Sequence, residues 1–178
     1  TAFNKASHIT QGNKDYFITY GPDRLRTKTS LQSGIGDDVL LIKYYAFGDF
    51  KKETDTNGTR ELHYIAGGEG LAAIYVKYDT GQDSLFYIMQ DHLGSLVGAI
   101  NAESDHVYRQ SFDAWGRKRN YEDWTYTNVQ DEFPFLRGYT GHEHLKWFGL
   151  INMNGRMYDA GLCRFLSPDP YVQMPENS

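Results

Sequence analysis

Four clusters of residues have types and spacings from which chemistry could be built. Asp91, His92 and Ser95 supply the three side-chain types of a nucleophilic hydrolase within one short stretch. Such a triad, however, needs groups brought together from separate elements, and Gly94 in its midst marks a tight turn. His142 and His144 stand two apart and so share a face on an extended strand, but a zinc site needs further ligands that the sequence does not identify. No metal and no cofactor is expected. The run Arg117-Lys118-Arg119, close to Tyr121, Trp124 and Tyr126, offers guanidinium groups and rings that stack on planar or sugar faces, with a solvated loop as the plainer reading. In the stretch 149–158, strand alternation sets Asn152, Asn154, Arg156 and Tyr158 on one face and Ile151, Met153 and Met157 on the other. Arg156 is thereby placed on a polar face, where an electrostatic partner for a carboxylate would have to be.

The elements that must position these residues are short. Segments rich in Tyr, Phe, Ile and Val alternate with polar, glycine-containing breaks: Tyr16–Tyr20, Val39–Phe47, Glu61–Ala66, Leu71–Tyr78, Ser84–Met89, Leu96–Ile100, His106–Phe112, Trp124–Val129, Gly149–Tyr158 and Arg164–Leu166. Breaks such as Thr56-Asn57-Gly58 and Asp79-Thr80-Gly81 favour hairpins. The best helical candidate, residues 141–148, lasts about two turns without an apolar stripe and reads as a turn or a single helical turn. The expected fold class is all-β, a mostly antiparallel sheet of stacked hairpins, rolled or barrel-like, with little helix. A weak self-similarity supports stacking: Phe112-Asp113-Ala114 precedes Arg117 as Tyr158-Asp159-Ala160 precedes Arg164.

Composition bounds the function. The 178 residues suffice for one domain with a sizeable core, and 14 Tyr, 10 Phe and 3 Trp against 5 Pro exclude a disordered or collagen-like chain. A net charge of -5 argues against a nucleic-acid partner held by phosphate neutralisation. The longest apolar runs fall far short of the roughly 20 residues that span a bilayer as a helix. A single cysteine, Cys163, excludes an intrachain disulfide and a multi-thiolate zinc site.

Asp91-His92-Leu93-Gly94-Ser95, followed by Ser111-Phe112-Asp113-Ala114-Trp115-Gly116-Arg117, resembles elements of the Rhs/YD-repeat proteins in both order and spacing. Gly138-Tyr139-Thr140-Gly141-His142-Glu143, Asn154-Gly155-Arg156-Met157-Tyr158-Asp159 and Arg164-Phe165-Leu166-Ser167-Pro168-Asp169-Pro170 are similar to the Rhs repeat-associated core domain. The resemblance divides the chain into degenerate YD-type repeats, 1–84, and a truncated core domain, 85–178, forming one continuous structural unit. It implies a secreted or surface-exposed bacterial polypeptide whose repeats spiral into a hollow β-shell closed by the core domain around a C-terminal, often toxic, cargo. The implied partners are that cargo and other YD repeats of the same polypeptide. Open sheet edges imply either a homodimer paired edge to edge or edges covered by the termini, and exposed aromatics suit a glycan.

In encapsulating relatives the core domain is also similar to an aspartyl autoprotease that releases the cargo. On that resemblance Arg156 and Asp169 match the arginine and the first catalytic aspartate. The second aspartate belongs to a downstream segment that the chain, ending at Ser178, does not reach, so the isolated chain is expected not to be an enzyme. Ala160 and Cys163 depart from the family's proline and glycine at those places, which points to an altered turn and an unpaired thiol. Three functions follow as expectations: a shell-closing structural module, an incomplete autoprotease, and an aromatic carbohydrate-binding or adhesion surface.

Overall fold

The computed structural model describes residues 1, 4–34, 38–46, 48–68 and 70–169. Ten strands form one antiparallel sheet in unbroken chain order: β1 (His8–Gln11), β2 (Lys14–Tyr20), β3 (Arg26–Ser33), β4 (Val39–Ala46), β5 (Phe50–Asp55), β6 (Gly58–Gly67), β7 (Gly70–Tyr78), β8 (Ser84–Gln90), β9 (Leu96–Asn101) and β10 (Val107–Arg109). Each strand pairs with its successor, as short hairpin loops dictate. The sheet passes residue 85 without a break in this order. Among the described residues no pairing joins β1 to β10, so the sheet is open rather than a closed barrel.

A two-stranded ribbon, β11 (Ser111–Phe112) with β12 (Lys118–Arg119), follows. A four-stranded antiparallel sheet completes the fold: β13 (Glu143–Leu145), β14 (Leu150–Asn152), β15 (Met157–Asp159) and β16 (Arg164–Phe165). The all-β expectation therefore holds.

The same turn is built twice. Asp91 and Asp113 each accept two backbone hydrogen bonds on Oδ1, from Leu93 and Ser95 at 2.9 and 2.8 Å and from Trp115 and Arg117 at 2.8 and 2.9 Å. Gly94 and Gly116 then take φ of +77° and +87°, a region that side-chain-bearing residues seldom enter. Asp-x-x-Gly is thus a self-contained turn, one copy joining β8 to β9 and the other β11 to β12.

Strand alternation puts Tyr16, Ile18, Leu31 and Leu41 on one face of the large sheet, where they meet Leu145, Phe148, Leu150 and Met157 from the small sheet. Farther along the same sheet Leu62, Ile74, Val76, Phe86, Leu96 and Ala99 close over Phe135. The C-terminal third is therefore held to the sheet by apolar burial at both ends.

Several local expectations change. The stretch 149–158 is a hairpin rather than one strand: Asn154 turns at φ +59°, and Met153 N–H bonds Arg156 O at 3.0 Å. Arg156 consequently leaves the strand face shared with Asn152 and sits at the turn before β15. Trp124–Val129 forms no strand, because the Asp123 carboxylate accepts the Thr125 amide and the Asn120 side-chain amide donates to the Thr127 and Asn128 carbonyls. Residues 141–148 contain strand β13, preceded by a single 3₁₀ turn at Tyr139–Gly141. Phe47 and residues 170–178 lie outside the described residues.

Candidate functional site

Arg156 and Asp169 come together. The hairpin turn presents Arg156, and the segment after β16 brings Asp169 back, so that Nη2 lies 3.0 Å from Oδ2. The guanidinium also covers the Phe165 ring at 3.8 Å, which fixes its plane. The pair lines an open cavity of about 640 Å³, together with Lys5, His8, Tyr20 and Asn154. The Asp169 side chain is half exposed.

A second charged cluster, which the sequence reading missed, lies inside the protein. Glu143 on β13 is buried and faces three cations of the large sheet. Lys43 donates to Oε1, Arg26 lies 3.0 Å from Oε2, and Lys51 approaches to 3.9 Å. Tyr45 donates its hydroxyl to Oε2 at 2.9 Å. Lys51 is also 2.9 Å from Glu53, and Arg60 lies 2.7 Å from the other Glu53 oxygen. Burial alone would raise the pKa of Glu143, but Lys43, Lys51 and Arg26 outweigh it and hold it well below the usual range. Glu53 is likewise lowered to about 2, its burial outweighed by Lys51, Lys43 and Arg60. Burial lowers the pKa of Lys43 despite the neighbouring Glu143.

The cluster gathers four cations around two carboxylates and joins β13 to β3, β4, β5 and β6. It leaves Arg26 Nη1 and the Tyr64 hydroxyl buried without hydrogen-bond partners among the described residues. Lys43, Lys51 and Glu53 stand where strand alternation points inward, and a register shift beside Tyr20 turns Arg26 to the same face.

The remaining motifs serve turns and surfaces. Asp91 and Ser95 belong to the turn described above, and Ser95 Oγ accepts the Thr140 amide at 3.0 Å. His142 and His144 bond Thr140 and the Tyr139 amide while Glu143 between them is taken by cations. Among the described residues no group of three His, Cys, Asp or Glu could hold a metal ion. Arg117 stacks on Tyr126 at 3.9 Å and Arg119 lies over Trp124 at 5.1 Å. Trp115, Trp124 and Tyr126 are exposed, as a sugar-binding face would require. Cys163 is exposed and takes φ +55°, so the altered turn places a non-glycine residue in left-handed backbone.

No family model matches the chain, and no curated protein matches it at a significant level. Solved structures do. The crystal structures of TcdB2-TccC3-Cdc42 and of TcdB2-TccC3 each superpose with a TM-score of 0.64 at 16% identity, covering 91% of this chain. The Photorhabdus luminescens Tc holotoxin pore, with a TccC3 variant, gives 0.63 at 16% identity over 94% of it. The chain has the fold of a segment of these Tc toxin chains. This supports an Rhs-type fold without singling out the core domain. The matched segment is 8% of each of those chains, so the likeness concerns one module of a far larger polypeptide. No helix among the described residues is long and apolar enough to cross a membrane.

Proposed function

We propose that the chain is a shell-closing module of a secreted or surface-exposed Rhs/YD-repeat protein, which encloses or presents a C-terminal cargo of toxin type. The observation that carries this reading is the ten-stranded meander with its C-terminal sheet docked on one face, a fold shared with a segment of Tc toxin chains. Strands β1 and β10 end the sheet with one unpaired edge each among the described residues. Such edges suit continuation by neighbouring repeats of the same polypeptide. The test is protease protection in the full natural polypeptide that contains this chain. The segment after the core domain is expected to survive digestion while the shell is folded and to be degraded once it is opened by denaturant. Digestion at the same rate in both states overturns encapsulation.

The Arg156–Asp169 pair favours a second reading, autoproteolysis within that polypeptide. Two carboxylates in close contact split their apparent pKa values, so that one acts as base and the other as acid toward water and a peptide bond. Arg156 would orient the Asp169 carboxylate, and the open cavity leaves room for a peptide segment and for a second carboxylate. On this reading cleavage needs a second carboxylate beside Asp169. In the full polypeptide Asp169→Asn is expected to abolish a self-cleaved band on a denaturing gel. Cleavage that persists unchanged removes Asp169 from the mechanism.

A further inference from the structure

A second open cavity, of about 590 Å³, lies between the β11–β12 turn and the small sheet, away from Arg156 and Asp169. Its apolar lining includes the rings of Phe133, Phe135 and Phe148. Arg117, Lys118 and Lys146 line it as cations, with Asp131 and Asp159 as the carboxylates. These acids do not neutralise the cations equally. Asp159 is engaged by its own turn, accepting the Gly161 and Leu162 amides at 2.8 and 2.9 Å. Asp131 alone answers both lysines, at 3.0 Å from Lys118 and 2.9 Å from Lys146, and its side chain is 60% exposed. Burial opposes the charge of Asp131, but the bonds from Lys146 and Lys118 outweigh it and lower its pKa. An ion pair this exposed contributes little to stability, so another carboxylate can compete for the lysines. Arg117 has no carboxylate partner among the described residues and is held against the Tyr126 ring.

His144 supplies a polar group on the lining. Its Nε2 accepts the Tyr139 amide at 3.0 Å, which in the neutral ring puts the proton on Nδ1. Nδ1 has no partner among the described residues, and the side chain lines the cavity. Burial, with Lys118 and His142, lowers the pKa of His144 to about 4, so the ring is a neutral donor at neutral pH.

We propose that this cavity binds a small aromatic carboxylate, its ring against Phe133, Phe135 and Phe148 and its carboxylate between Lys118 and Lys146. The volume falls within the range of small-molecule sites, and a few polar groups on an aromatic lining are the usual means of orienting such a ligand. The phenylalanines reward a flat apolar body, while the cation excess rewards one negative charge and penalises a positive one.

Isothermal titration of the full chain with 1-naphthoate at low salt tests this. Saturable 1:1 binding is expected, with Kd on the order of 0.1–1 mM for a ligand of this size. 1-Naphthalenemethanol, of nearly the same shape but uncharged, is expected to bind at least fivefold more weakly, and Lys118→Gln with Lys146→Gln is expected to remove that difference. Chemical-shift changes on adding naphthoate should centre on Ile151 and the three phenylalanines. No saturable binding, equal affinity for acid and alcohol, or shift changes centred elsewhere overturns the proposal. If the double variant fails to fold, the acid and alcohol compared on the unaltered chain decide.

Discussion

Strands β3 to β5 and strands β6 to β9 belong to one sheet and turn the same face toward the C-terminal segment, yet the first region sets a charged cluster beside its apolar Leu31 and Leu41, while beyond Arg60 the second offers it apolar side chains. The first region presents Arg26, Lys43 and Lys51 to Glu143, with Glu53 behind Lys51. The second presents Leu62, Ile74, Val76, Phe86, Leu96 and Ala99 to Phe135. The boundary is abrupt, because Lys51 is the register partner of Leu62. Apolar burial stabilises in proportion to area and tolerates small shifts of position. Buried charges contribute little net stability over an apolar substitute, but they are costly when one partner goes missing. The apolar region supplies cohesion, then, and the charged region rejects every placement of β13 that leaves Glu143 away from its cations.

The largest expected effect tests that asymmetry. Glu143→Gln keeps the shape but leaves Lys43, Arg26 and Lys51 buried around a neutral amide, and should cost about 4 kcal/mol in urea denaturation. A loss below about 1 kcal/mol would mean that the cations relax toward Glu53 or solvent and that the network is no lock.

Acid titration probes the same strand with a smaller effect. Burial lowers the pKa of His144 from the ordinary histidine value of 6.5 to about 4. As pH falls, the unfolded chain therefore takes up the proton before the folded one does. Stability contributed by the neutral ring is complete above about pH 6.5 and is lost progressively down to about pH 4, by up to about 3 kcal/mol. The lowered pKa of His142 acts in the same direction. Glu53 and Glu143 keep their charges through this window, since theirs lie lower still. His144→Gln should flatten the loss between pH 6.5 and 4. A profile that the substitution leaves unchanged would assign the acid limb to other groups.

The smallest effect belongs to the apolar region. Ile74→Val removes one methylene from a fully buried position and should cost about 1 kcal/mol by thermal or urea denaturation. A cost matching that of Glu143→Gln would erase the contrast between the two regions.

Much of the fold could be read from local pattern. Tyr16–Tyr20, Leu71–Tyr78 and Ser84–Met89 are strands because alternating or continuous apolar residues between turn signals have no other economical packing, and each matches an observed strand to within two residues at either end. Strands β3 and β5 escaped notice because Arg26-Thr27-Lys28-Thr29 and Lys51-Lys52-Glu53 look solvent-facing. Their charges point inward only because Glu143, some 90 to 117 positions later in the chain, sits opposite them. Arg156 and Asp169 were found through motif resemblance alone. Strand alternation placed Arg156 on the wrong element, since the Asn154-Gly155 turn breaks the strand.

Turns and strands were determined by the sequence itself, because an aspartate accepting two nearby amides before a positive-φ glycine closes without help from the rest of the molecule. The Glu143 network, the Arg156–Asp169 contact and the cavity between Lys118 and Lys146 were decided by tertiary structure. Each unites residues from separate strands or turns, and the energy of a charge depends on what is buried beside it rather than on its neighbours along the chain.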